Sequence, residues 1–147
     1  MIHDLYIHEA ALVDQICLNL SDNLSELFNL RTKRWPHPYM HDECFTLGLF
    51  SDLTENISSD RAFILIPIAL DIVLKQKDNN LLLISLSLLV ELARASKTTE
   101  LPLALIETKN DLEEKIMSLS DNDELQMYWN SLKEWYRLTV NVPLLKN

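Results

Sequence analysis

The chain has 147 residues, one glycine, and 13 Lys+Arg against 22 Asp+Glu, a formal charge of −9. That length suits one domain, and a hydrophobic content of 48% is enough to bury a core. The lone Gly48 excludes glycine-rich phosphate loops, which need several glycines for close backbone approach, and disfavours two-residue hairpin turns, which use glycine at positive φ.

Residues 3–29 have the pattern of a long amphipathic helix, with Leu5, Leu12, Ile16, Leu20, Leu24 and Leu27 on one stripe near the 3.6-residue period. Ser21, Asp22 and Asn23 favour caps and turns, so a break is expected there. Residues 31–38 read as a connector, because they hold Pro36, Pro38 and three basic residues. Pro38 suits the first turn of a helix over about Tyr39–Leu53, with Met40, Cys44, Leu47 and Phe50 on one side. Residues 60–75 form the next helix, with Asp60 as N-cap and either a kink at Pro67 or a start near Ile66. The β-branched run Phe63–Ile66 is the one strand candidate, and its helical continuation through Ala69, Leu70, Val73 and Leu74 favours helix. After a short turn at 76–80, residues 81–96 are apolar almost all round, which marks a central buried helix. Pro102 starts a helix to about Thr108, a second covers Asp111–Ser118, and the last runs over about 122–140, capped by Ser120 and Asp121. Its stripe is Leu125, Tyr128, Trp129, Leu132, Trp135 and Tyr136.

The expected fold class is therefore all-α: a single domain over residues 1–147 with about seven helices in antiparallel pairs. Residues 60–77 with 79–96, and 100–118 with 121–140, echo one another at a period near 40, the spacing of HEAT-like units; an irregular helical bundle fits the pattern almost as well.

The chemistry on offer is sparse. His37, His41 and Cys44 fall at i, i+4 and i+7, and imidazole with thiolate suits zinc. Capping and core packing account for the same three residues, further ligands such as His3 or His8 would have to come from another helix, and no metal or cofactor is expected. No serine or cysteine stands in a nucleophile motif, and the neighbouring carboxylates Glu113 and Glu114 point in different directions on a helix. The chain is not expected to be an enzyme. Arg31, Lys33, Arg34 and Trp35 are a small basic–aromatic group, outweighed by the overall negative charge, which disfavours nucleic acid and anionic membranes. Cys17 and Cys44 are too few for a disulfide scaffold, and the acidic N-terminus lacks signal-peptide character, so the expected compartment is the cytoplasm. The apolar stretches Ala62–Leu74 and Leu81–Val90 are too short to cross a bilayer.

What remains is charge and aromatic surface. Residues 1–30 carry Asp4, Glu9, Asp14, Asp22 and Glu26 with no cation; residues 107–124 carry Glu107, Asp111, Glu113, Glu114, Asp121, Asp123 and Glu124 against Lys109 and Lys115. An ordinary solvated face gives the same pattern, and a docking surface for a cationic protein is the functional alternative. Trp129, Trp135 and Tyr136 serve as core anchors or as interface anchors, with one member of each adjacent aromatic pair free to face outward. The helical pairs over Asp60–Lys97, followed by Thr98-Thr99-Glu100-Leu101-Pro102, resemble the HEAT-like helical immunity proteins of bacterial contact-dependent inhibition and polymorphic toxin systems. That resemblance implies an antitoxin that masks the active site of a basic toxin, such as a nuclease. Asp111, Glu113, Glu114, Asp121, Asp123 and Glu124 would supply charge, and Trp129, Trp135 and Tyr136 the anchors. The alternative is a helical scaffold or adaptor that binds another protein.

Overall fold

A computed structural model describes residues 2–19, 23–32, 53–118 and 123–138, with side chains from Ile7 onward. The helices it bounds are α1 (Ile2–Cys17), α2 (Leu24–Thr32), α3 (Ser59–Lys75), α4 (Asn79–Ala95), α5 (Leu103–Met117) and α6 (Asp123–Trp135). Residues 53–56 are also helical, and no strand occurs among the described residues. The protein is all-α. Among the described residues, no helix is long and apolar enough to cross a membrane.

The expected long first helix ends at Cys17, and the chain turns through Asn19 at φ 64°. Asn23 restarts it: its Oδ1 accepts from Glu26 N at 3.1 Å, and its Nδ2 donates to Glu26 Oε1 at 3.2 Å. The helix then runs to Thr32, past the expected start of the connector, because Leu30 and Arg31 are buried. Lys33 to Asp52, with the expected helix over Tyr39–Leu53, lie outside the described residues apart from Leu53 itself.

Helix α3 is capped by Ser58, whose Oγ accepts from Arg61 N at 3.2 Å, and not by Asp60, which sits in the first turn. Phe63–Ile66 is helical, and the helix passes continuously through Pro67, which lies on the exposed side. Asp78 caps α4 through a 3.0 Å bond from Leu81 N. The link at 76–78 is short, so α4 returns antiparallel to α3. The two short helices expected between Pro102 and Ser118 are one helix, α5. Thr108-Lys109-Asn110 contains no breaker, Thr108 Oγ1 donates to the Ala104 carbonyl at 2.8 Å, and Leu105, Leu112 and Ile116 form one continuous buried stripe. Helix α6 stops short of residue 140. Leu138 N donates to Lys133 O at 2.7 Å and Arg137 N to Glu134 O at 3.1 Å, the six-to-one and five-to-two bonds of a Schellman ending.

A chain this poor in glycine must end its helices with other residues. Asn19, Lys97 and Arg137 take the left-handed conformation, at φ 64°, 57° and 60°. The side chains of Lys97 and Arg137 make this costly, by roughly 1–2 kcal/mol each, and the backbone bonds they close offset it.

Packing is ordered in pairs. Helix α3 lies against α4, α5 and α2; α4 also lies against α6, and α2 against α1. Thus α5 stacks beside α3 and α6 beside α4, the arrangement of two superposed helical hairpins. Glu113 faces Lys133 while Met117 meets Gln126, so α5 and α6 run antiparallel. The buried side chains form one continuous cluster from Leu12 to Tyr136. The N-terminal pair is fastened by polar links. Arg61 Nε donates to the Ile16 carbonyl at 3.0 Å, satisfying one of the last carbonyls of α1. Arg31 Nη2 donates to Glu9 Oε2 at 2.7 Å, with both side chains almost fully buried.

Two stability predictions arise here. Removing one partner of a buried ion pair takes from the other its closest counter-charge, so Glu9→Leu or Arg31→Met alone should destabilise by up to about 3–5 kcal/mol, and the double variant by less than the sum; urea unfolding of the three variants reads this. Lys97→Gly relieves the left-handed strain and should stabilise by a fraction of about 1 kcal/mol after the entropy gained by the unfolded chain. A lowered unfolding midpoint for that variant would contradict the assignment of strain.

Candidate functional site

The carboxylates singled out in the sequence gather on the α5–α6 pair. Glu107, Asp111 and Glu114 are exposed and stand at i, i+4 and i+7, one face of α5. Asp123 and Glu124 are exposed in the first turn of α6, where negative charge also complements the helix dipole. Gln126 Nε2 meets Met117 Sδ at 3.7 Å, so the start of α6 lies beside the end of α5. Asp121 lies outside the described residues. Glu113 departs from the group: it is half-buried and faces Lys133 Nζ at 4.0 Å. The same ammonium lies 5.4 Å from the centre of the Trp129 ring, a cation–π contact that fixes Lys133 over the helix pair. Lys109 and Lys115 are half-buried, which leaves the outer face of α5 without an exposed cation.

The aromatic residues divide differently from the expectation of interface anchors. Trp129 is 1% exposed and Tyr136 7%, so both belong to the core and neither is available to a partner in this fold. Leu125, Trp129 and Leu132 are the inward positions of the helix, and the amphipathic period puts them there, with Tyr136 continuing the stripe in the turn that follows. Trp135 is half-buried, with its Nε1 donating to the Thr98 carbonyl at 3.0 Å, which ties α6 to the loop before α5. Tyr128 and Trp135 are the outward members of their adjacent pairs, as the hundred-degree step between neighbours requires.

Sequence reasoning missed an apolar row on the outer face of α5. Leu103, Ile106 and Met117 are 69%, 55% and 55% exposed. The signal was present, since these residues fall off the Leu105–Leu112–Ile116 stripe, but dividing the segment into two helices concealed it.

Of the N-terminal acids, Glu9 and Glu26 are engaged within the fold, while Asp22 and the side chain of Asp4 lie outside the described residues. Glu9 is buried against Arg31, and Glu26 is engaged by His8 Nε2 at 2.9 Å as well as by Asn23. Arg31 accordingly leaves the basic–aromatic group of the connector, whose other members are outside the described residues. Ile7, His8, Ala11, Leu12, Gln15 and Glu26 line a shallow, open groove of about 470 Å³ between α1 and α2. The His8–Glu26 pair on its wall is solvent-exposed and holds the two helices only weakly.

Burial, reinforced by Asp14 and opposed by Arg61, pushes the Cys17 thiol above its ordinary value, and its Sγ donates to the Leu53 carbonyl at 3.7 Å. A protonated, half-buried thiol is a poor nucleophile. No group of three or more His, Cys, Asp or Glu is placed to hold a metal among the described residues, and His37, His41 and Cys44 lie outside them.

Burial pushes the Tyr136 phenol from 10.0 up to about 12, and its hydroxyl has no hydrogen-bond partner among the described residues. The unfolded chain therefore loses this proton at lower pH than the folded chain. The stability held by the neutral phenol is complete below pH 10 and is lost as pH rises through about 12. Tyr136→Phe should be at least as stable as the parent at neutral pH and should lose less stability across that alkaline window, as read by paired denaturant titrations.

Comparison with family models, with curated proteins and with solved structures gives no match, so the site rests on its own geometry.

Proposed function

We propose that the protein acts by binding another protein, and that it is an immunity protein that neutralises a basic toxin domain by covering its cationic active site. The observation that carries this reading is the exposed acidic face of α5 and the start of α6, formed by Glu107, Asp111, Glu114, Asp123 and Glu124 without an exposed Lys or Arg on α5. Carboxylates arrayed on a rigid helix pair can occupy the positions that phosphates would take in a nuclease site. A net charge of −9 adds long-range attraction and speeds encounter with such a partner. The hydrophobic core under α5 and α6, with the Trp135–Thr98 bond, holds the face in shape before binding, which lowers the ordering cost of association. A scaffold or adaptor role would use the same face, and the chemistry of the partner separates the two.

The test is to tag the protein, recover it from its own cells at low salt, and identify a stoichiometric companion. A basic companion whose toxicity the protein suppresses is the expected result. Reversing Asp111, Glu114, Asp123 and Glu124 to lysine together should then slow association by about tenfold or more and flatten its dependence on salt. Unchanged association kinetics would remove this face from the reading, and a neutral, non-toxic companion would favour the adaptor.

A further inference from the structure

The outer face of α5 is amphipathic in its own right. Inside, Leu105, Leu112 and Ile116 are buried; outside, Leu103, Ile106 and Met117 stand in solvent. Leu103 and Ile106 are one turn apart, and Ile106 and Met117 are separated by three turns, so the apolar positions share a side of the helix. Asn110 is exposed between them, at the heptad spacing from both Leu103 and Met117. Alongside runs the second row of Glu107, Asp111 and Glu114. Single exposed apolar residues are ordinary on protein surfaces. An apolar row spanning about 21 Å, interrupted by Asn110 and flanked on one side by Glu107, Asp111 and Glu114, is the negative image of a helix with leucine-like residues on one side and lysine or arginine beside them.

We propose that this face seats one amphipathic, Lys/Arg-bearing helix of the protein partner, with Leu103, Ile106 and Met117 as the contacts and Glu107, Asp111 and Glu114 as the rail that fixes its sign and direction. The inference rests on the partner-binding reading above and names the element recognised. Two facts select this occupant. The charge on the rail requires a cationic partner and works against a second copy of this acidic chain. The row is straight and follows a helix axis, which a second helix can track turn by turn through knobs-into-holes contacts. Asn110, polar in the middle of the row, demands a polar residue opposite and so sets the register of the incoming helix. The anchors are aliphatic because Trp129 and Tyr136 are committed to the core.

The probe is a synthetic Leu/Lys peptide of about 14 residues patterned as an amphipathic helix, compared with a scrambled peptide of the same composition. Both are titrated into the full-length protein and followed by backbone amide NMR shifts. The patterned peptide should move amides of α5, gain helicity, and bind more tightly than the scrambled one. Leu103→Ser with Ile106→Ser should weaken it by about tenfold or more. Ile64→Ser, on the exposed side of α3 at 58% exposure, should leave it unchanged. Glu107→Gln, Asp111→Asn and Glu114→Gln together should reduce the salt dependence. Equal binding of the scrambled peptide, shifts centred away from α5, or an equal loss with Ile64→Ser would each overturn the proposal. Its fate is separable from that of the immunity reading. A captured toxin that binds normally to the Leu103/Ile106 double variant would overturn the docking mode and leave the neutralising role standing. Specific peptide binding on α5 with a non-toxic natural partner would do the reverse.

Discussion

A helix without a polar side must be surrounded, and α4 sets that condition for the whole molecule. Residues 82–90 are buried without interruption, and Leu92 and Ala93 extend the buried surface. No single neighbour can cover such a helix, so α3 and α6 close on it from different sides, and α5 is drawn in beside α3. Two serines lie in this apolar cylinder. Ser85 and Ser87 return their hydroxyls to the Leu82 and Ile84 carbonyls at 3.0 and 2.6 Å, so their polarity is absorbed within the helix. Burial of this much side-chain surface, at about 25 cal/mol per Å² of apolar area, is the main force holding the helical pairs in register.

Direction is added by a few buried polar bonds. Hydrophobic contact alone lets helices slide and rotate, whereas a buried donor accepts few geometries. The Arg61 side chain reaches from α3 to the last turn of α1, and Arg31 reaches from α2 to Glu9 on α1. These links join helices whose mutual contacts are less extensive than those of the α3–α4 pair. Trp135 plays the equivalent part at the other end, holding α6 to the Thr98 carbonyl. Both ends of the molecule are thereby fixed relative to a centre that is nearly all aliphatic.

The distribution of charge follows from this architecture. Once α5 and α6 have given one side to the core, their remaining positions must face water, and Glu107, Asp111, Glu114, Asp123 and Glu124 occupy them. Lys133, on α6, is held between Glu113 and the Trp129 ring. The exposed field of the pair is consequently more negative than its composition implies. Charge of one sign thus stands beside exposed leucine, isoleucine and methionine on the same helix.

The sequence by itself determined the all-helical class, the buried helix that follows the short turn after Lys75 and the break near Asn23, because each depends on local period, capping or composition; the turn proved shorter than 76–80, since Asp78 caps a helix that starts at Asn79. The apolar stripe of the last helix was equally legible, but it held both members of each aromatic pair and left open which one faces the core. Tertiary structure decided the rest. Whether the segment after Pro102 was one helix or two depended on a continuous core surface to receive Leu105, Leu112 and Ile116, and that surface comes from α3. Which acids were drawn inward depended on partners distant in the chain: Arg31 for Glu9, across 22 residues, and Lys133 for Glu113. The commitment of Trp129 and Tyr136 to the core had the same origin, since an amphipathic stripe specifies which residues share a face but not what covers it. Local physics thus wrote the helices, and long-range packing chose which of their residues were left to meet a partner.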